Sequence, residues 1–181
     1  MSEKGILIVT DLEGISGLDT FEQVHTADPE TNRYPLERLM ADTNAAIDGA
    51  FSGGAKRVLV WDGHYRGKNF LPGTLDARAE QRSLMTTDEL RAEVCGVMII
   101  GQHAMAGTIN GFLDHTQNSM SWFQYAINGR PAGEIGQIGT FVGAAGVPVV
   151  MVAGDEAACM EGRAFFGGIE TAAVKCGIGR N

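Results

Sequence analysis

The sequence predicts an α/β fold, a three-layer αβα domain with a mainly parallel sheet and an inserted β-hairpin, in a single domain over residues 1–181. Short strand-like segments alternate with helical patterns, which is typical of parallel sheets covered by helices. The strand segments are continuous apolar runs, such as ILIVT at residues 6–10, and strands that are buried on both faces have this composition. No repeat or linker-like composition divides the chain.

The individual elements follow from the apolar runs, the helical period and the turn residues. Apolar residues recur at helical spacing from Leu36 to Phe51, with Pro35 in the first turn and the SGG sequence at 52–54 at the end. Asn128 and Gly129 are the expected two-residue turn of a hairpin within residues 122–134. The expected strands lie at 5–10, 57–64, 95–103, 148–154 and 169–175, with further helices at 87–93, 136–145 and 155–164 and a loop-rich segment at 65–86.

The composition excludes several classes of protein. The chain has 14 Lys and Arg against 22 Asp and Glu, a formal net charge of −8, and no basic run. This argues against nucleic-acid partners and against binding to anionic membranes. Three widely spaced cysteines form no disulfide framework or cysteine zinc site, so we expect a cytoplasmic protein. The uncharged stretch 135–154 contains several glycines and Pro148, which predict a buried helix and a strand rather than a membrane span.

Reactive side chains follow the first three predicted strands. Asp11 and Glu13 come after the first strand, and His64 and His103 end the second and third. Because open parallel sheets bind ligands at the carboxyl ends of their strands, we expect these four side chains to lie at one edge. Asp11 and Glu13 are two residues apart and should point the same way. Imidazole together with carboxylate favours zinc over calcium or magnesium.

Each of these residues also has an ordinary structural explanation. Asp11 could cap a loop, Glu13 could be solvated, and each histidine could be hydrogen-bonded in a loop or in the core. The convergence of four such residues at one sheet edge is what favours a metal site. Two histidines with one or two carboxylates would hold one metal ion, whereas three carboxylates would allow two ions with one Asp bridging them.

Four other polar residues need separate interpretation. His115, in a polar loop, could reach the same edge or could be a surface histidine. Glu134 opens the glycine-rich helix, where a carboxylate in the first turn favours the helix dipole whatever its function. Asp155 is expected to be a helix N-cap, and His25 is expected to be an exposed loop residue.

Short motifs in a fixed order carry a resemblance that spans residues 6–175. They are DLEGISG (11–17), DGH (62–64), GQHAMAGT (101–108), DHT (114–116), INGRPAGEIG (127–136), VPVVMVAGDEAA (147–158) and TAAVK (171–175). In this combination the chain resembles the zinc-dependent D-aminopeptidases of the DppA type, although no single motif is specific. The resemblance implies a metallopeptidase-like catalytic domain that releases N-terminal D-amino acids from short peptides, within a ring-like homo-oligomer.

The resemblance also implies two zinc ions per chain and a role for each ligand. Asp11 would bridge the two ions. Glu13 and His64 would complete the ligands of one ion, and His103 and Glu134 would complete those of the other. A charge count agrees with this arrangement, because three carboxylates and one bridging hydroxide balance two divalent cations.

Two departures from the family pattern affect the expected substrate site. The family continues with a C-terminal segment that helps to assemble the oligomer and to wall the substrate site, and this segment is absent here. The stretch DARAEQRSLMTTDELRAE (76–93) matches only loosely, so we expect different pocket walls there.

The expected reaction is hydrolysis of a short peptide or an amino-acid amide by water that two zinc ions activate. His115 matches the catalytic histidine of the family and would serve as general acid or base, as a stabiliser of the oxyanion or as a nucleophile. Asp62 and Asp114 are expected to orient ring nitrogens of the histidines. Two alternatives stay open, a magnesium-dependent phosphatase and an inactive relative that only binds metal or assembles. Nothing in these residues distinguishes D from L substrates.

Overall fold

The computed structural model describes residues 3–179, and this part of the chain contains eight strands and five helices. The strands are β1 (Gly5–Thr10), β2 (Val58–Asp62), β3 (Glu80–Arg82), β4 (Val94–Gln102), β5 (Ala126–Ile127), β6 (Arg130–Pro131), β7 (Val149–Asp155) and β8 (Glu170–Lys175). The helices are α1 (Phe21–His25), α2 (Tyr34–Ser52), α3 (Thr87–Glu93), α4 (Glu134–Ala144) and α5 (Glu156–Phe166).

Six strands form one sheet in the order β3-β2-β1-β4-β7-β8, and each neighbouring pair is parallel. The prediction of a mainly parallel sheet is therefore confirmed. After β3 the chain returns to the other side of β1, so the strand order reverses between β1 and β4. In sheets of this class, ligands bind in the crevice beyond the carboxyl ends of the strands at such a reversal.

Helices cover both faces of the sheet, which confirms the predicted three-layer architecture. Leu7 and Val9 of β1 pack in one core together with residues of α3, α4 and α5. Ile8, on the opposite face of the same strand, packs in a second core with residues of α2. All three side chains are almost fully buried. The continuous apolar run of β1 thus serves both faces, as side-chain alternation along a strand requires.

The predicted hairpin is present, and two short elements differ from the prediction. β5 and β6 pair antiparallel, and Asn128 and Gly129 have the positive φ angles (52° and 80°) of a tight hairpin turn. α1 forms where a loop is expected, behind a capping box between Thr20 and Gln23. β3 lies within the predicted loop-rich segment, and it is defined only by pairing with β2. α4 begins at Glu134, before the predicted start at residue 136.

The uncharged stretch 135–154 divides into α4 and β7, with Pro148 between them, as predicted. Among residues 3–179, no helix has both the length and the apolar composition that crossing a bilayer requires.

The loop after β1 lies directly against the end of β4. Gly14 N donates to Gly101 O at 2.7 Å, and Asp11 N donates to Ile100 O at 2.8 Å. A Cβ on Gly101 would collide with the carbonyl oxygen of Asp11 and with Ile15, and its φ of +77° also favours glycine. This close approach sets the distance between the side chains that follow β1 and those that follow β4.

Replacing Gly101 with Ala should therefore destabilise the metal-free protein more than the same change at Gly146. Gly146 has a similar φ of +76°, but a Cβ there would meet open space. The left-handed backbone should cost each variant about 1–2 kcal/mol, and steric overlap should add about 1–3 kcal/mol for Gly101→Ala alone. Urea unfolding of the two variants measures the difference, and equal losses would show that the close approach is no constraint.

Candidate metal centre

Six polar side chains converge at the carboxyl edge of the sheet. They are Asp11 and Glu13 after β1, His64 after β2, His103 after β4, His115 in the loop between β4 and β5, and Glu134 at the start of α4. Parallel strands bring their carboxyl ends to one edge, and this explains why residues so distant in sequence meet. All six candidates from the sequence therefore lie together. Their roles as ligands and catalyst stay predictions.

The first cluster consists of Asp11, Glu13 and His64. His64 Nδ1 lies 2.8 Å from Asp11 Oδ1 and 3.2 Å from Glu13 Oε2. One ligand atom from each residue lies within 4.8 Å of the other two, so a single metal ion could contact all three. Asp11 and Glu13 point the same way, as their spacing predicts.

The second cluster consists of Asp11, His103 and Glu134. His103 Nε2 lies 3.5 Å from Asp11 Oδ2 and 3.4 Å from Glu134 Oε1. His103 Nδ1 lies 3.0 Å from Ala104 O, and a proton donated there leaves Nε2 as the free lone pair. Asp11 therefore belongs to both clusters and directs one carboxylate oxygen at each.

The environment of His103 Nε2 favours a bound cation. His103 is only 1% exposed, and within residues 3–179 its Nε2 has no hydrogen-bond partner. A buried polar atom without a partner is costly, and this one faces two carboxylates. A cation between these groups would satisfy all of them. Carboxylate oxygen and imidazole nitrogen are donors that suit zinc, so the residues present fit that ion.

His115 lies beside the second cluster. Its ring stacks on that of His103 with centroids 3.9 Å apart, and its Nε2 lies 3.7 Å from Glu134 Oε1. His115 Nδ1 lies 2.8 Å from Leu113 O, so donation there leaves Nε2 as the basic nitrogen. His115 also forms a third possible ligand group with Glu13 and His103. Geometry alone thus allows His115 to be either a ligand or a free base.

When no metal is bound, protons on the side chains of the site offset the negative charge of its carboxylates. Burial raises the pKa of Asp11 to about 7, and the charge of Glu13 adds to this rise. Burial opposes the charged form of His64, but the charge of Glu13 and contact with Asp11 outweigh it and raise the pKa of His64 to about 11. The contact with Glu134 and the charge of Asp11 likewise outweigh burial and raise the pKa of His103 to about 10. Both imidazoles are therefore protonated at neutral pH in the metal-free site.

His115 behaves differently from the other two histidines. Burial and the positive charge of His103 lower the pKa of His115 below its ordinary value. Its imidazole is therefore neutral at pH 7. A neutral imidazole can accept a proton, which the other two histidines cannot do in the metal-free site.

Two glutamines that the sequence analysis did not single out contact the carboxylates. Gln102 Nε2 donates to Asp11 Oδ2 at 2.8 Å, and the backbone N–H of Gln117 donates to Glu134 Oε1 at 2.8 Å. Gln102 directly precedes His103 at the end of β4, and this position is the signal that could have identified it. The contact of Gln117 is made by its backbone, so its side-chain type carries no such signal.

The expected role of Asp62 differs from that in the structure. Asp62 accepts a hydrogen bond from Asn69 N at 2.6 Å, and Asn69 Nδ2 donates to His64 O at 2.8 Å. Asp62 thus supports the backbone of the loop that carries His64, and Asp11 contacts the ring nitrogen instead. Asp114 accepts a hydrogen bond from Gly107 N at 2.6 Å.

The prediction for Asp155 is confirmed, and that for His25 is confirmed in its exposure but not in its loop position, because His25 is the last residue of α1. Asp155 is the N-cap of α5, where its side chain accepts a hydrogen bond from Ala158 N at 2.8 Å. His25 is exposed, and its ring stacks on Phe21 at the rim of a cleft.

This cleft, of about 730 Å³, opens over both clusters. Asp11, Glu13, His64, His115 and Glu134 line its floor, and Phe21, Val24 and Met120 are among the residues of its walls. The volume is within the range of small-molecule sites. The cleft therefore gives a ligand access to the clustered carboxylates and histidines.

The family model described as D-aminopeptidase, for peptidase family M55, matches residues 5–181. This chain belongs to the D-aminopeptidase family. The resemblance identified from the motifs is thereby confirmed.

A curated relative and a solved structure, both from Bacillus subtilis, show how far the similarity extends. A D-aminopeptidase of strain 168 is 34% identical in an alignment of 180 positions, which covers 94% of this chain and 63% of the relative. The solved structure of the Zn-dependent D-aminopeptidase DppA, described as a self-compartmentalizing protease, matches with a TM-score of 0.85 and 31% identity. That match covers 97% of this chain and 65% of DppA. The chain thus spans less than two thirds of the length of these D-aminopeptidases.

Zinc binding to this D-aminopeptidase family member should release at least two protons per chain at pH 8, because both ligand imidazoles must be neutral and a metal-bound water that ionises adds a further proton. The raised pKa values of His64 and His103 keep both protonated below about pH 10 in the metal-free protein. Lowering the pH therefore strengthens the competition from protons and weakens zinc binding. Calorimetric titration in two buffers of different ionisation enthalpy measures the protons released. Zinc uptake without proton release would contradict this protonation state.

Proposed function

We propose that this chain is the catalytic domain of a metal-dependent aminopeptidase that removes N-terminal D-amino acids from short peptides or amino-acid amides. Two zinc ions per chain would occupy the two clusters, and His115 would be the catalytic residue. The proposed ligands are Asp11 for both ions, Glu13 and His64 for the first ion, and His103 and Glu134 for the second.

The single observation that carries the proposal is the shared position of Asp11. Its Oδ1 lies 2.8 Å from His64 Nδ1, and its Oδ2 lies 3.5 Å from His103 Nε2. One carboxylate thus faces two separate sets of nitrogen and oxygen donors, which is the arrangement that a bridged pair of cations needs. An ion in the first cluster alone would leave His103 Nε2 without a metal partner.

The charge of the clusters also supports a pair of divalent cations. Asp11, Glu13 and Glu134 each have a carboxylate oxygen within a few ångströms of a histidine ring nitrogen. None of the three residues is exposed. Three carboxylates need more positive charge than one divalent ion supplies. Two neutral imidazoles complete the donor set without adding charge, which matches zinc rather than calcium or magnesium.

A bound zinc pair would supply hydroxide near neutral pH, polarise the scissile carbonyl and hold the free amino group of the substrate. His115 would move the proton. Its Nδ1 is anchored on Leu113 O and its ring is stacked on His103, so Nε2 is held toward the cleft. Nε2 would take the proton of the attacking water and return it to the leaving amine.

The substrate and the assembly are proposed from the relatives. The D configuration is supported by the family description and by the relative named D-aminopeptidase. A ring-like homo-oligomer is supported by the description of DppA as self-compartmentalizing. A cytoplasmic location is supported by the unpaired state of the three cysteines.

Protein purified without added metal should contain about two zinc ions per chain, and Asp11→Ala should lose both because Asp11 faces both clusters. Plasma mass spectrometry measures the metal. Asp19→Ala is the matched control, since Asp19 is exposed and belongs to neither cluster. An absence of metal even after zinc is supplied would refute the proposed centre.

Light scattering on the same protein tests the proposed homo-oligomer, and a monomeric mass would contradict it.

Turnover assays on the same preparations separate the alternatives. Release of D-alanine from D-alanyl amides and dipeptides, with slower release from the L forms, is the result expected. Hydrolysis of a phosphate ester without peptide cleavage would favour the phosphatase. Bound zinc without turnover of either substrate would favour a relative that only binds metal or assembles.

His115→Ala should lower kcat by about 10²–10⁴-fold, the usual contribution of a general acid or base, while both zinc ions stay bound. His25→Ala is the matched control, because His25 is at the rim of the same cleft but belongs to neither cluster. Kinetics with D-alanyl amides and metal analysis of both variants provide the comparison. Parallel loss of zinc and activity in His115→Ala would assign His115 to the ligands instead.

A further inference from the structure

We propose that Lys175 and Glu161 are positioning residues, one behind each half of the two-metal centre. Lys175 would support the half formed by Glu13 and His64, and Glu161 would support the half formed by His103 and Glu134. Neither residue is among those that line the cleft, so each would act through backbone that carries a ligand. This inference rests on the proposed function, because the centre that it concerns is the one proposed above.

Lys175 holds the loop that carries Glu13. It is the last residue of β8, and its Nζ donates to Glu13 O at 2.9 Å and to Leu18 O at 2.7 Å. These two carbonyls lie at opposite ends of the turn that follows β1, so one ammonium group holds both ends of the turn. Hydrogen bonds from a charged donor are stronger than neutral ones, and this favours a fixed orientation of the Glu13 backbone.

The same ammonium group also contacts the segment that leads to His115. Lys175 Nζ lies 4.2 Å from the centroid of the Phe112 ring, a distance at which cation–π attraction is favourable. Phe112 is held in turn, because its backbone N–H donates to Asp155 Oδ2 at 2.7 Å. Lys175 thus links the edge of the sheet to two segments that carry functional side chains.

Glu161 lies behind the other half of the centre. It is a buried residue of α5, and its Oε2 accepts a hydrogen bond from Met105 N at 2.7 Å. Met105 follows His103 by two residues. A Cβ on Gly133, the residue before Glu134, would lie 2.6 Å from Glu161 Oε1. The carboxylate therefore packs against both backbone segments that present the ligands of the second cluster.

A purely structural role would not require these side chains. Burying a charged group costs free energy, and apolar residues of similar volume often stabilise a fold as well or better. Here both side chains form hydrogen bonds with backbone groups that lie within a few residues of a proposed ligand. Groups that orient metal ligands from outside commonly change metal affinity by about 10–100-fold when they are removed.

The test measures zinc affinity in proteins that retain only one of the two clusters. Glu134→Ala leaves the first cluster intact, and Glu13→Ala leaves the second intact. Lys175→Met should weaken zinc binding about 10–100-fold in the Glu134→Ala background but not in the Glu13→Ala background. Glu161→Leu should do the reverse. Competition with a chromophoric chelator gives the affinities, and thermal unfolding of the metal-free proteins gives the stability.

Matched controls and conservative variants keep the test decisive. Lys56→Met and Glu170→Gln change exposed residues of the same types and should leave both affinities unchanged. Lys175→Gln and Glu161→Gln keep a polar group at each position and should show the same selectivity with smaller losses. They replace Lys175→Met or Glu161→Leu where those variants do not fold.

Equal weakening of both clusters by each variant, or no weakening at all, would overturn the positioning roles. This failure is distinct from failure of the proposed function. If the unsubstituted protein binds two zinc ions while the variants bind them equally well, only the positioning roles are refuted. If the unsubstituted protein binds no zinc, the proposed centre itself is refuted.

Discussion

The constraint on which the site depends is the need to neutralise three clustered carboxylates, two of them buried and the third partly buried. Two like charges about 4 Å apart repel by about 4 kcal/mol at an effective dielectric constant of 20, so Asp11, Glu13 and Glu134 cannot all be charged without partners. In the metal-free site, raised pKa values keep His64 and His103 protonated beside them. With divalent cations bound, the same imidazoles would be neutral ligands. These two histidines would therefore alternate between counter-ion and ligand, which would tie metal binding to proton release.

The sheet topology brings these charges together. β1 lies between β2 and β4, and the strand order reverses between β1 and β4. Asp11 follows β1, at this reversal, and its two carboxylate oxygens face side chains that follow β2 on one side and β4 on the other. The arrangement works only if the loop after β1 lies against the end of β4, and Gly14 and Gly101 permit that contact. Backbone packing thus sets the spacing of the charges.

Much of this arrangement could be predicted from the sequence, and the limits have physical causes. Continuous apolar runs identify the strands, and parallel pairing then places the residues at their carboxyl ends, such as His64 and His103, at one edge. His115 and Glu134 do not directly follow a central strand, so position alone left His115 open between this edge and the surface, and their assigned roles depended on the family resemblance. The contacts of Asp62 were not predictable, because proximity in sequence does not determine which group a side chain meets. β3 is polar and is defined only by tertiary pairing.

The position of Lys175 connects this site to an edge of the sheet. β8 is an edge strand and pairs only with β7 within the described chain. Edge elements open at lower free energy than central strands, since fewer contacts hold them. Opening of the end of β8 would break the hydrogen bonds from Lys175 to Glu13 O and Leu18 O. A metal ion that binds only the closed arrangement stabilises that arrangement by mass action. Metal occupancy and closure of β8 should therefore reinforce each other, although no residue of β8 lines the cleft.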